Sequence, residues 1–147
     1  HVFCELREEL DEERAIRIMK RAIHERGRAI GARLRQHAPS DFEGLADTFV
    51  NDLHPDGGAM FEPEVRRCDS DGLDIYHRAC PLKEAYREAG LSERDMATML
   101  SIAAQVDYGT FEEAGFSFSA DTWKPGDGGC CFLHVRPRAD EERPARV

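Results

Sequence analysis

Near Met60 the spacing of apolar residues changes from the threes and fours of a helix to the alternation of a strand. Such a chain has to lay helices on a sheet, because neither pattern buries its apolar side alone. Before the change, Leu6, Leu10, Ile16, Met19, Ile23, Ile30 and Leu34 predict one long helix over about 5–36, or two helices joined near Gly27. Ser40 and Glu43 form a capping-box pair ahead of Phe42, Leu45, Phe49 and Leu53. They predict a helix over about 41–53 that stops at His54-Pro55-Asp56-Gly57-Gly58.

After the change, segments 64–68 and 73–78 alternate around Asp69-Ser70-Asp71-Gly72 and predict a hairpin with Leu73, Ile75 and His77 on one face. Pro81 opens a short helix through Leu82, Ala85, Tyr86 and Ala89 that Gly90 ends, and Ser92 with Asp95 caps the next. That next helix carries Met96, Met99, Leu100, Ala103 and Val106 on one face and loosens at Gly109, before a brief helical turn at 111–114. Segments 116–123 and 130–136 predict a second hairpin across a loop rich in glycine and proline.

The expected fold is therefore α+β: N-terminal helices followed by two β-hairpins forming an antiparallel sheet, with the intervening helices packed on it. At 147 residues the chain is expected to be a single domain over 1–137, helical over 1–54 and mixed over 60–137. Residues 138–147 are charged, lack an apolar stripe, and are expected to be a disordered tail.

The net charge of −9 repels phosphate backbones and anionic membranes, so neither nucleic acid nor membrane is an expected partner. Basic residues do gather between Arg14 and Arg35, but at helical spacing and offset by nearby acids, which reads as a solvated helix face. No apolar run approaches a membrane span and no leader pattern opens the sequence; the cytoplasm is the expected location. The five cysteines are an odd count, and adjacent Cys130 and Cys131 suit no simple disulfide framework, so reduced thiols are expected. There is no GxSxG elbow, no Walker loop and no GxGxxG after a strand.

Chemistry concentrates in YHRACPLKE, residues 76–84. Cys80 directly precedes a proline that can only begin a helix, and a helix N-terminus favours a thiolate. His77 stands three residues before it, near enough to exchange a proton. The plainer reading of Cys80 is a small buried residue at a strand-to-helix corner. In a regular strand Cys130, Phe132 and His134 share one side while Cys131, Leu133 and Val135 share the other and read as core, which makes Cys130 and His134 a polar pair. Asp107, placed near a helix C-terminus against the dipole, asks for a partner and could orient an imidazole or act as a base. Trp123 could wall a pocket, though core is the plainer reading. No cofactor is expected. Zinc on His77, Cys80, Asp107, Cys130 and His134 is the lesser alternative, since HxxC without CxxC or HExxH is a weak signature.

Three stretches, HRACPLKEAYREAGLS, IAAQVDYGTFEEAGF and DTWKPGDGGCCFLHV, together resemble the L-2-amino-thiazoline-4-carboxylic acid hydrolase family of small bacterial proteins over about residues 60–137. The resemblance implies hydrolytic opening of a cyclic isothiourea, 2-amino-thiazoline-4-carboxylate, toward N-carbamoyl-cysteine. It carries over Cys80, Asp107 and Cys130 as site positions, with the doubled Cys130-Cys131 leaving the last alignment open by one residue. The chemistry of that reaction asks water or a thiolate to add to the carbon between the ring nitrogen and sulfur; a cysteine could attack, with His77 or His134 moving the proton and Asp107 holding the imidazole or the amidinium-like group. The helix N-terminus ahead of Cys80 could instead hold the substrate carboxylate, and Arg78, Lys83 and Lys124 are the nearest positive charges. The expected partner is a small-molecule substrate, and a homo-oligomer is left open. Two rivals from other classes are a non-catalytic small-molecule or metal-binding sensor domain, and an interaction subunit docking through an exposed stripe at Ile16, Ile23 and Ile30.

Overall fold

The computed structural model describes residues 1–52 and 59–139. The chain is α+β, with N-terminal helices ahead of a four-stranded antiparallel sheet. Helix α1 is Val2–Glu9 and α2 is Glu12–Gly31, continued by a 3-10 segment Ala32–His37. The break falls at Leu10 and Asp11 and not near Gly27, because the Asp11 carboxylate accepts from the Arg14 N–H at 2.8 Å and starts a new helix. Helix α3, Phe42–Asp47, runs into a π-helical turn Thr48–Asp52. Its cap is Asp41, which accepts from Gly44 N at 3.0 Å, and not Ser40 as the capping-box reading had it. The expected stop at 54–58 lies outside the described residues.

Strands β1 (Pro63–Asp69) and β2 (Gly72–His77) form the first hairpin, and Leu73, Ile75 and His77 are all buried on one face as the alternation predicts. Helix α4 is Pro81–Glu88, and α5 is Glu93–Ala103 with Asp95 N donating to Ser92 Oγ at 3.1 Å. Helix α6, Gln105–Ala114, departs from expectation: the chain turns at Ala104 and stays helical through Gly109. Strands β3 (Phe116–Asp121) and β4 (Phe132–Pro137) complete a sheet ordered β1-β2-β4-β3.

One core lies between sheet and helices, with Leu73, Ile75, Leu133 and Val135 facing Leu45, Phe49 and Phe111. A second gathers Cys80, Met96, Leu100, Trp123 and Cys130. In a third, Phe3 of α1 meets Ala15 and Ile102. Ile16 and Ile23 pack against this third cluster, so they are not the open docking stripe of the interaction-subunit reading. At its far end the chain is still held at Arg138, whose guanidinium donates to the Phe116 carbonyl at 3.1 Å; residues 140–147 of the expected tail lie outside the described residues. No helix among the described residues is long and apolar enough to cross a membrane.

Candidate active site

The corner between β2 and α4 is built as the Cys-Pro dipeptide dictates. Pro81 supplies the first helical residue, and Cys80 is the N-cap with extended backbone, φ −148° and ψ 103°. Its sulfur accepts from the Lys83 N–H at 3.5 Å. Lys83 is itself buried, its ammonium donating to the carbonyls of Gly128 at 3.3 Å and Gly129 at 2.9 Å. The lysine thus ties the glycine loop to the start of α4. Glycine suits position 129, because a side-chain carbon there would push against the Tyr76 hydroxyl.

The approach to β4 differs from the regular strand expected over 130–136. His77 N donates to Cys131 O at 2.9 Å, while His77 O accepts from Cys130 N at 3.0 Å. Two residues face one, as in a β-bulge, and the extra residue resets the alternation of side chains. Cys130 is therefore buried beside Cys80 and does not share the side of Phe132 and His134. The Cys130 and Cys131 sulfurs stand 3.1 Å apart.

A cavity of about 110 Å³ opens at this junction. His77, Cys80, Asp107, Cys130 and Cys131 line it, with Phe49, Phe61, Leu82 and Leu100 among its apolar walls. The His77 ring lies 5.2 Å from the Phe61 ring, centroid to centroid. Asp107 sits in the first turn of α6 and not near a helix C-terminus as expected, so the dipole favours its charge. The residue is half-buried and its carboxyl is crowded by protein, and burial pushes it up to about 7. No side-chain hydrogen bond or ion pair from the described residues reaches it.

Cys80 moves the opposite way, down to about 6. The largest cause is the hydrogen bond from the Cys130 thiol; burial opposes it, and the N–H groups of Lys83 and Leu82 and the Lys83 charge assist. Cys130 is pushed up by its contacts with the Cys131 and Cys80 sulfurs and by burial, which keeps it a thiol and a donor. Because these N–H groups serve the sulfur, they are not free to bind a substrate carboxylate, which removes the competing use of the helix N-terminus.

His134 is not part of this arrangement. It lies elsewhere on the sheet, its Nδ1 2.9 Å from Asp74 Oδ1 and its Nε2 3.1 Å from Asp121 Oδ2. None of the four expected substrate-binding residues is on the cavity wall. Arg78 is exposed and paired with Glu62 at 3.6 Å, Lys83 is committed to the loop, Lys124 is exposed, and Trp123 backs Cys80 while its Nε1 donates to Asp127 O at 3.0 Å. Strand alternation misplaced Cys130; it put Cys131 on the core side with Leu133 and Val135, where it does pack, but did not show that Cys131 also lines the cavity. Among the described residues no group of three or more His, Cys, Asp or Glu is arranged to hold a metal ion.

No curated protein and no solved structure matches this chain. The family model for L-2-amino-thiazoline-4-carboxylic acid hydrolase matches residues 1–134, which carries the likeness from the expected 60–137 through the N-terminal helices as well. With nearly the whole of its 147 residues inside that match, the chain belongs to the L-2-amino-thiazoline-4-carboxylic acid hydrolase family.

Proposed function

We propose that this protein hydrolyses a small cyclic isothiourea, 2-amino-thiazoline-4-carboxylate, to N-carbamoyl-cysteine, with Cys80 as the nucleophile. The observation that carries this reading is a Cys80 sulfur held as an N-cap, drawn toward its thiolate, on the same cavity wall as His77 and Asp107. A cavity of about 110 Å³ equals the share of roughly four liquid waters, space for a small ring. In the proposed reaction the ionised Asp107 pairs with the cationic amidine end of the substrate. The Cys80 thiolate adds to the carbon between the ring nitrogen and sulfur. The bond from that carbon to the ring sulfur then breaks, and the sulfur leaves as a thiol with a proton delivered through His77. Water adds to the enzyme-bound isothiourea, Cys80 departs as thiolate, and the urea of N-carbamoyl-cysteine remains. One water is consumed.

Incubation with 2-amino-thiazoline-4-carboxylate, followed by mass spectrometry, should show N-carbamoyl-cysteine. Cys80→Ala should lower turnover at least about a thousandfold, as loss of a nucleophile does in other hydrolases. Full turnover by Cys80→Ala eliminates the nucleophile, and binding without turnover in the unaltered chain supports the sensor reading instead.

A further inference from the structure

We propose that Cys80 and Cys130 form a reversible disulfide when a hydroperoxide enters the cavity, a modification that takes the Cys80 sulfur out of use. Three thiols meet on this wall: Cys80 and Cys130 pack in one buried cluster, the Cys130 sulfur lies 3.1 Å from that of Cys131, and all three line the cavity. Hydrolysis through one nucleophile uses one sulfur and leaves two unexplained. The pair also divides the roles that disulfide formation needs. Cys80 is drawn toward the thiolate, the form that peroxides oxidise, while Cys130 is held protonated against it. Cys80 has almost no outer surface, at 3% exposure, so an oxidant reaches it through the cavity, which has room for a molecule as small as hydrogen peroxide.

The Cys80 thiolate attacks one peroxide oxygen and the O–O bond breaks. Cys80 becomes a sulfenic acid, oxidised by two electrons, and the peroxide is reduced to an alcohol or water after taking up a proton. Cys130 then attacks the Cys80 sulfur and gives up its proton. The S–O bond breaks, water leaves, and the S–S bond forms. A dithiol reductant returns both thiols by exchange. Cys131 is disfavoured as the partner of Cys130, since neighbours in sequence close a small ring far from relaxed disulfide geometry.

The test is peptide mapping of the full chain after hydrogen peroxide and alkylation, with Cys4→Ser and Cys68→Ser removing the two exposed thiols. The expected product links the Cys80 peptide to the Cys130 peptide, persists in Cys131→Ser and disappears with dithiothreitol. In Cys130→Ser the link should be absent and Cys80 should be trapped by dimedone as sulfenic acid. Fragmentation of the linked peptide locates the bond even if a variant fails to fold. A Cys80 that stays reduced, one that passes to sulfinic acid with no link, or a link ending on Cys131 overturns the proposal. The mapping reads sulfur chemistry and not turnover, so its failure is separate from failure of the hydrolase reading.

Discussion

Two acids in one cavity are displaced in opposite directions, and the cause differs at each residue. Cys80 is surrounded by donors, so its charged form gains; Asp107 is crowded with no donor among the described residues, so its charged form loses. The proposed reaction needs both ionised, one to attack and one to hold a cation. The pH profile of kcat/KM should therefore rise through about 6 and again through about 7, then level. In Asp107→Asn the second inflection should vanish and the residual rate should follow Cys80 alone. Stability should move the other way. From about 4 to 7 the unfolded Asp107 is ionised while the folded one keeps its proton, so the native state binds more protons and stability falls as pH rises. The displacement from 3.8 to about 7 is worth at most ~4 kcal/mol, and water in the cavity reduces it. Cys80 contributes with opposite sign, so the comparison between proteins isolates Asp107. Urea midpoints at pH 5 and pH 8 should show Asp107→Asn gaining on the parent at the higher pH; parallel behaviour at both would refute the buried-charge account.

At the scale of elements, what positions Asp107 is the crossing of α2 and α6. Gly27 and Gly31 of α2 and Gly109 of α6 let the backbones touch: a side-chain carbon at Gly109 would strike the His24 carbonyl, and one at Gly27 the Val106 carbonyl. This contact explains where the sequence reading went astray. Glycine lowers helix propensity, so Gly27 and Gly109 read as joints. Here the close approach requires glycine, and packing holds the helix through it. Local signals succeeded where the chemistry is local, as at the Cys80-Pro81 cap, the Asp69-Gly72 turn and the Ser92 cap. They failed at Cys130, because a bulge is a feature of strand pairing and leaves no mark in one strand's own alternation. Gly109→Ala should force the two helices apart, cost about 1–3 kcal/mol and lower Tm by roughly 3–10 °C, with lost turnover because Asp107 rides on the same helix. Gly128→Ala, where an added carbon meets nothing within 4 Å, should leave Tm unchanged. Equal melting of the two variants would show that the crossing is not tight.

Across the whole molecule, charge pairs tie the N-terminal helices to α5 and α6: Arg7 with Asp95 at 2.9 Å, Arg28 with Glu113 at 2.9 Å and Arg94 with Glu12 at 2.9 Å. They look like a clamp between the N-terminal helices and the α5–α6 pair, but each keeps part of its surface in water, where such pairs add little net stability. The chain also carries a net charge of −9, whose self-repulsion salt relieves at the same time as it weakens the pairs. These two effects oppose each other, so the stability must come from the apolar layer between sheet and helices. Leu133 is fully buried in that layer on β4, between β2 and β3. Raising sodium chloride from 0.1 to about 1 M, from a Debye length of about 10 Å to about 3 Å, should therefore barely move Tm. Leu133→Ala should cost about 2–5 kcal/mol and lower Tm by about 10 °C. A large fall in Tm with salt, matched by a mild Leu133→Ala, would mean that the interhelical charges and not the core hold the N-terminal helices to the rest of the fold.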